Sequence, residues 1–174
     1  PDAAIRLAQQ ALESDPDNAT LHFQLAQFLQ AARWNTQAIE HFRKAVELCP
    51  EASAARHALA QALRGQGDAA AAKTQWQRGL ELNPKFMEAY VALSVLAFAD
   101  KDYRAAERIL RQGLEEVPDA HMLANSLAWA LATSPDPSQR NGQEAVKWAE
   151  KAVKKVRAAP RSDVHRYLDT LGAA

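Results

Sequence analysis

An all-α solenoid of antiparallel helix hairpins is the fold class this sequence predicts, on three observations. Pro16, Pro50, Pro84 and Pro118 recur with a constant 34-residue period. Small residues return in register with them, and polar breaks fall between successive prolines. A fixed period of this length marks a tandem array of equal supersecondary units, none of which can bury its apolar face alone.

The period brings back core residues as well as punctuation. One column holds Leu25, Leu59, Leu93, Leu127 and Leu171, each followed by a small residue: Ala26, Ala60, Ser94, Ala128 and Gly172. Thirteen residues beyond the first three leucines lie Ala38, Ala72 and Ala106, and the same column includes Ala4 and Ala145. Seven further on come Ala11, Ala45, Gly79, Gly113 and Ala152, each preceding Leu or Val. Small residues let two helix backbones approach while a neighbouring aliphatic side chain fills the gap, so each unit is two packed helices.

In order, residues 1–18 read as the second helix of a hairpin whose first helix is missing. In the unit 19–52, Leu21, Leu25, Phe28 and Leu29 space as one helix and Ala38, Ile39, Phe42, Ala45 and Val46 as the next, with a polar break over 33–36. In 53–86 the break is Gly65-Gln66-Gly67-Asp68, pairing helix-ending glycines with an Asp suited to cap the following helix. Asp100-Lys101-Asp102 does the same in 87–120. Each proline disfavours helix in the residue before it, and Asp15, Asn18, Asn83 and Asp119 supply capping groups nearby. Asn18-Ala19-Thr20 also matches a glycosylation acceptor, but Asn18 stands where the helix needs its cap.

The unit 121–160 departs from the rule. Leu127 to Ala145 is eighteen residues rather than thirteen, so five extra residues enter the turn around Thr133 to Gly142. Ala145 to Leu171 is twenty-six rather than twenty-one, placing five more around Val156 to Ser162. The stretch 161–174 reads as a first helix that stops short. The double-proline turn reads as a stiffened connector, with a ligand-contacting lip as the alternative. The whole of 1–174 is expected to be one solenoid, a piece of a longer protein, whose open ends carry apolar side chains such as Ile5 and Leu12 and favour weak end-to-end association.

With Leu-small early, Ala in the middle and Pro near the end of each 34-residue unit, the chain resembles the tetratricopeptide repeat (TPR) family. The stretch 125–133, the Pro135-Asp136-Pro137 turn and Leu168-Asp169-Thr170-Leu171 resemble a variant of bacterial members, in which the repeats are often appended to larger membrane or enzyme proteins. The resemblance implies a right-handed superhelix whose first helices face a concave side, and a non-enzymatic scaffold that binds a peptide or helical segment there. The alternative it leaves is an auxiliary region of a larger enzyme or membrane-anchored protein that positions substrate or mediates self-assembly.

Counted from the Leu columns, the groove residues are Phe23 and Gln27 in the first full unit, then His57, Gln61 and Arg64 in the second. Val91, Val95 and Phe98 follow in the third, and Asn125 and Trp129 in the fourth. The early set is amide-rich and the later set apolar, which suits an apolar anchor beside amides that hydrogen-bond a peptide backbone. Some relatives hold a C-terminal carboxylate with paired Lys and Asn. Here the matching places carry Phe23, Gln27, Ala58, Glu88 and Ala92, so peptides with acidic ends are expected to bind poorly.

Composition excludes several other classes. Lys plus Arg is 21 and Asp plus Glu is 21, which leaves no net field to steer nucleic acid or anionic lipid. Lys147, Lys151, Lys154, Lys155 and Arg157 read as a solvated face. No apolar run approaches membrane-spanning length. His22, His41, His57, His121 and His165 fall in different units without a second His or Cys at ligand spacing, so no metal or other cofactor is expected. Gly65-Gln66-Gly67 is too short for a phosphate loop. Cys49 stands alone, which rules out a disulfide framework and leaves the compartment, cytoplasmic or periplasmic, open.

Overall fold

The computed structural model describes residues 2–156. Within them the chain forms nine α-helices and no strand: α1 (Asp2–Ser14), α2 (Ala19–Ala31), α3 (Asn35–Leu48), α4 (Ser53–Gly65), α5 (Ala69–Leu82), α6 (Met87–Ala99), α7 (Tyr103–Glu116), α8 (His121–Thr133) and α9 (Gly142–Val156). The helices pack most extensively as the hairpins α2–α3, α4–α5, α6–α7 and α8–α9. They divide into two compact units, one ending at Asn83 with α1 to α5 and one starting at Pro84 with α6 to α9. The expected short helix after residue 160, with Leu171 and Gly172, and the second insertion lie outside the described residues.

The columns read from the sequence are the core. Leu25, Leu59 and Leu127 are at most 2% exposed, and Ala26, Ala38, Ala60, Ala72, Ala106, Ala128, Ala145 and Ala152 are fully buried. Phe42, Trp76 and Leu110, which share another column of the same period, are likewise inaccessible. Ile5 was expected to be open at the chain's end but is buried, because it lies on the face of α1 turned to α2. Leu7 is the exposed large apolar residue of that helix, at 67%.

Each regular hairpin turns through the same hydrogen-bonded motif. The N–H groups of Arg33, Gly67 and Lys101 reach back to the carbonyls of Gln30, Arg64 and Phe98, and those of Trp34, Asp68 and Asp102 to Leu29, Leu63 and Ala97, at 2.9–3.0 Å. This pairing satisfies carbonyls at a helix end and requires a left-handed residue at the turn. Arg33, Gly67 and Lys101 fill that place, each one repeat period after the last, with φ of 67°, 94° and 60°. Only the middle one is a residue that adopts this conformation freely. Lys101→Gly is therefore expected to raise stability by about 0.5–1 kcal/mol, and Gly67→Ala to lower it by about 1 kcal/mol. Urea unfolding of the two variants, read as opposite shifts in midpoint, checks the pair.

Helix starts follow the sequence in part. Asn18, Asp68 and Asp102 accept from the backbone N–H groups of Leu21, Ala71 and Ala105 at 2.9–3.0 Å. Asp119 does not take the expected place, because α8 starts one residue later and Ala120 stands at its N-cap; Asn83 ends α5 rather than starting α6. Trp34, at the N-cap of α3, is 50% exposed.

The fourth hairpin keeps the closing bond across its insertion. Asn141 N–H donates to the Leu131 carbonyl at 3.0 Å, ten residues back instead of five, so the five extra residues loop out of an unchanged frame. The loop braces itself on Asp136, whose carboxylate accepts from Ser138 N–H (2.9 Å), Ser138 Oγ (2.7 Å) and Gln139 Nε2 (3.0 Å). These bonds to Ser138 hold the Asp136 carboxyl below its ordinary pKa. The Arg111 guanidinium joins α7 to α9, donating to Glu107 and to Glu144 at 2.8 Å each, and the bond to Arg111 lowers the Glu144 pKa in turn.

Candidate functional site

The first helices of the two units present different chemistry. In the unit ending at Asn83, Phe23 and His57 do not stand out into solvent as expected. Phe23 packs on Phe42 with ring centroids 5.8 Å apart, and His57 lies 6.1 Å from the Trp76 ring while its Nδ1 accepts the indole N–H at 3.2 Å. Both are half-buried, because the residue 19 positions ahead on the partner helix reaches across the hairpin to meet them. Gln27, Gln61 and Arg64 are exposed, and Arg64 Nη2 donates to Gln61 Oε1 at 3.1 Å.

In the unit starting at Pro84, α6 and α8 form an apolar ledge. Val95 and Trp129 are each 45% exposed. Phe98 is half-buried between them and Tyr103, meeting the Trp129 ring edge-on at 5.4 Å and the Tyr103 ring at 6.3 Å. Edge-to-face packing fixes the indole while leaving much of it in water. Val91 is half-buried at the start of the same helix.

Asn125 lies one helical turn before Trp129, and its Oδ1 is buried without a hydrogen-bond partner. A buried acceptor of this kind costs free energy until a donor reaches it. Met122 and Ser126 share the helix, but Ser126 Oγ is committed to the Met122 carbonyl at 2.9 Å.

Other chemistries find no constellation. Among the described residues no group of His, Cys, Asp and Glu is arranged to hold a metal ion, and no helix is long and apolar enough to cross a membrane. His22 and His41, which the sequence separates by 19 positions, stack on each other rather than open towards an ion. In the basic run on α9, Lys151 stands 4.8 Å over the Trp148 ring, whose N–H donates to Glu144 at 3.1 Å. The side chain of Lys155 and all of Arg157 and His165 lie outside the described residues.

The comparisons with known proteins agree with the hairpin geometry. Two sequence profiles, both of the tetratricopeptide repeat, match residues 1–53 and 63–132. The chain belongs to the tetratricopeptide repeat family. Among solved structures, the TPR chain is similar to MamA protein, at 25% identity and a TM-score of 0.68, covering 90% of this chain and 82% of that one. It is similar also to YrrB, described as a TPR protein with an unusual peptide-binding site, at 19% identity and a TM-score of 0.64, covering 97% and 81%. A third similar structure is TTC0263, a thermophilic TPR protein of Thermus thermophilus, at 19% identity and a TM-score of 0.67, covering 99% and 89%. No curated protein matches the chain.

Proposed function

We propose that this TPR chain is a non-enzymatic protein-interaction scaffold, and that the ledge of Val95, Phe98 and Trp129 is where an apolar side chain of a peptide or helical segment anchors. The observation that carries this reading is the pair of 45% exposed apolar side chains, Val95 on α6 and Trp129 on α8, with the Trp129 ring held edge-on by Phe98. An anchor side chain would cover the indole and Val95. YrrB, a similar fold, is described as having a peptide-binding site, which lends the class of ligand some support. Gln27, Gln61 and Arg64, exposed on α2 and α4, offer polar contacts of their own. Leu7, on α1, is the side chain that end-to-end self-association would use.

The test is a displayed random-peptide library selected on the wild-type chain, with affinities measured by calorimetry. Peptides bearing aromatic or aliphatic anchors are expected to be enriched, and Phe98→Ala with Trp129→Ala is expected to cost about 2 kcal/mol or more of their binding. Trp129 is half in solvent, so circular dichroism should show the fold retained. Unchanged affinity in that variant would move the site to another face.

A further inference from the structure

The first full hairpin holds a side-chain node that the ledge does not use. His22 on α2 is buried, and its ring stacks on that of His41 on α3, with centroids 5.2 Å apart and 28° between planes. Nδ1 of one ring lies 2.9 Å from Nδ1 of the other, and His22 Nε2 lies 2.9 Å from the Pro16 carbonyl oxygen. A carbonyl oxygen only accepts, so His22 Nε2 carries a hydrogen. In neutral His22 the Nδ1 atom is then a bare acceptor, and the hydrogen between the rings belongs to His41. The chain of donation runs from His41 to His22 to Pro16, tying α3 to α2 and α2 to the turn that follows α1.

Protons act on this chain in two steps. A first one on His41 Nε2 leaves both hydrogen bonds in place. A second must sit on His22 Nδ1, where it meets the His41 N–H head on across 2.9 Å and stacks one cation on another. Separation of the rings is the relief.

The second hairpin builds the same node from groups that do not titrate in this range. Arg56, one repeat period after His22, donates through Nη2 to the Pro50 carbonyl at 2.7 Å and through Nη1 to Gln75 at 3.1 Å. Gln75 in turn stands one period after His41. Arginine stays charged throughout.

We propose that the His22–His41 pair is a proton-operated latch on the first hairpin, closed while it holds at most one added proton and open when it holds two.

The charges around the pair leave the imidazoles to decide. Burial lowers the His41 pKa below the ordinary 6.5, the His22 ring lowers it further, and Glu40 on the same helix opposes them. Elsewhere on α3, Arg43 is exposed and Lys44 pairs with Glu47 at 3.6 Å. Apart from His22, α2 has no ionisable side chain. Asp2, Arg6 and Glu13 on α1, and Asp15 and Asp17 in its turn, are exposed. On α4, Arg56 is turned to Pro50, His57 to Trp76 and Arg64 to Gln61.

Folded His41 resists protonation, so below the ordinary histidine value the unfolded chain binds more protons than the folded one. The contribution of His41 to stability is present above pH 6.5 and is lost as pH falls from there towards its lowered folded value, and the second proton, which opens the latch, follows at lower pH.

Backbone amide exchange, read as protection factors at about pH 7.5 and about pH 5, tests the proposal on the whole chain. Protection in α2 and α3 is expected to fall at least about tenfold further than in α4 and α5. The double variant His22→Arg with His41→Gln copies the second hairpin's node and is expected to abolish that difference. Equal losses in both hairpins of the wild type, a loss confined to α4 and α5, or a difference that survives in the variant would overturn it. Should the variant not fold, imidazole nitrogen spectra of the wild type decide: His22 is expected as the Nε2–H tautomer, with double protonation coinciding with the loss of protection. Two rings titrating independently while the amides stay protected would sink the latch.

Discussion

Trp76→Ala is expected to destabilise the unit of α1 to α5 by about 3–5 kcal/mol. Trp76 is wholly inaccessible and heads the fully buried side chains by volume. It stands in the column of Phe42 and Leu110, so the backbone around it is set for a large ring. Truncation removes the transfer energy of an indole and leaves a void that flanking helices, fixed by their own core columns, cannot close. It also strips His57 Nδ1 of the donor that now reaches it at 3.2 Å. Trp76→Phe restores the ring type of the preceding hairpin and should cost roughly half as much, since it loses the N–H and part of the volume. Urea unfolding followed by circular dichroism measures both. A cost for Trp76→Ala below about 1 kcal/mol would contradict the packing described.

Gly113→Ala is the second large effect, and its direction is opposite to the one helix propensity gives. Gly113 sits inside α7, where Ala would normally add about 1 kcal/mol. A Cβ there would lie 2.7 Å from Tyr90 Cγ and 2.8 Å from Leu123 Cδ1. Tyr90 is 1% exposed and Leu123 wholly buried, so neither can swing aside into solvent. Overpacking of this kind costs about 1–3 kcal/mol and occasionally more, and with both neighbours confined the upper end applies. The net expectation is a loss of about 2 kcal/mol, growing with Gly113→Val. Gly65→Ala is the control: a Cβ there meets nothing within 4 Å, so the change should be neutral or mildly stabilising. Thermal unfolding of the three variants checks the order, and a Gly113→Ala protein as stable as Gly65→Ala would refute the close approach.

Much of the candidate site was legible at the level of helix face and not at the level of exposure. Counting from the leucine columns places Val95 and Trp129 on the solvent side of α6 and α8, where both are found. The same count places Phe23 and His57 there, yet each is drawn half inward by an aromatic ring 19 positions ahead, Phe42 and Trp76. A signal for this was present, since the same 19-position offset recurs in His22 with His41 and in Arg56 with Gln75. Reading one helix at a time hides it. The unpaired oxygen of Asn125 has no sequence signature, because its isolation depends on what the surrounding helices fail to offer.

The sequence by itself determined the helix hairpin, its constant repeat period, the small-residue seams and the five-residue excess in the fourth turn. Those features are local or periodic: a proline, a capping Asp, a glycine or a spacing acts on its own few residues and repeats. Only the tertiary structure decided which side chains cross a hairpin, why Gly113 must face Tyr90, and which of several apolar residues remain in water. Each of these is a distance between residues far apart in the chain, and close packing makes such distances depend on every neighbour at once.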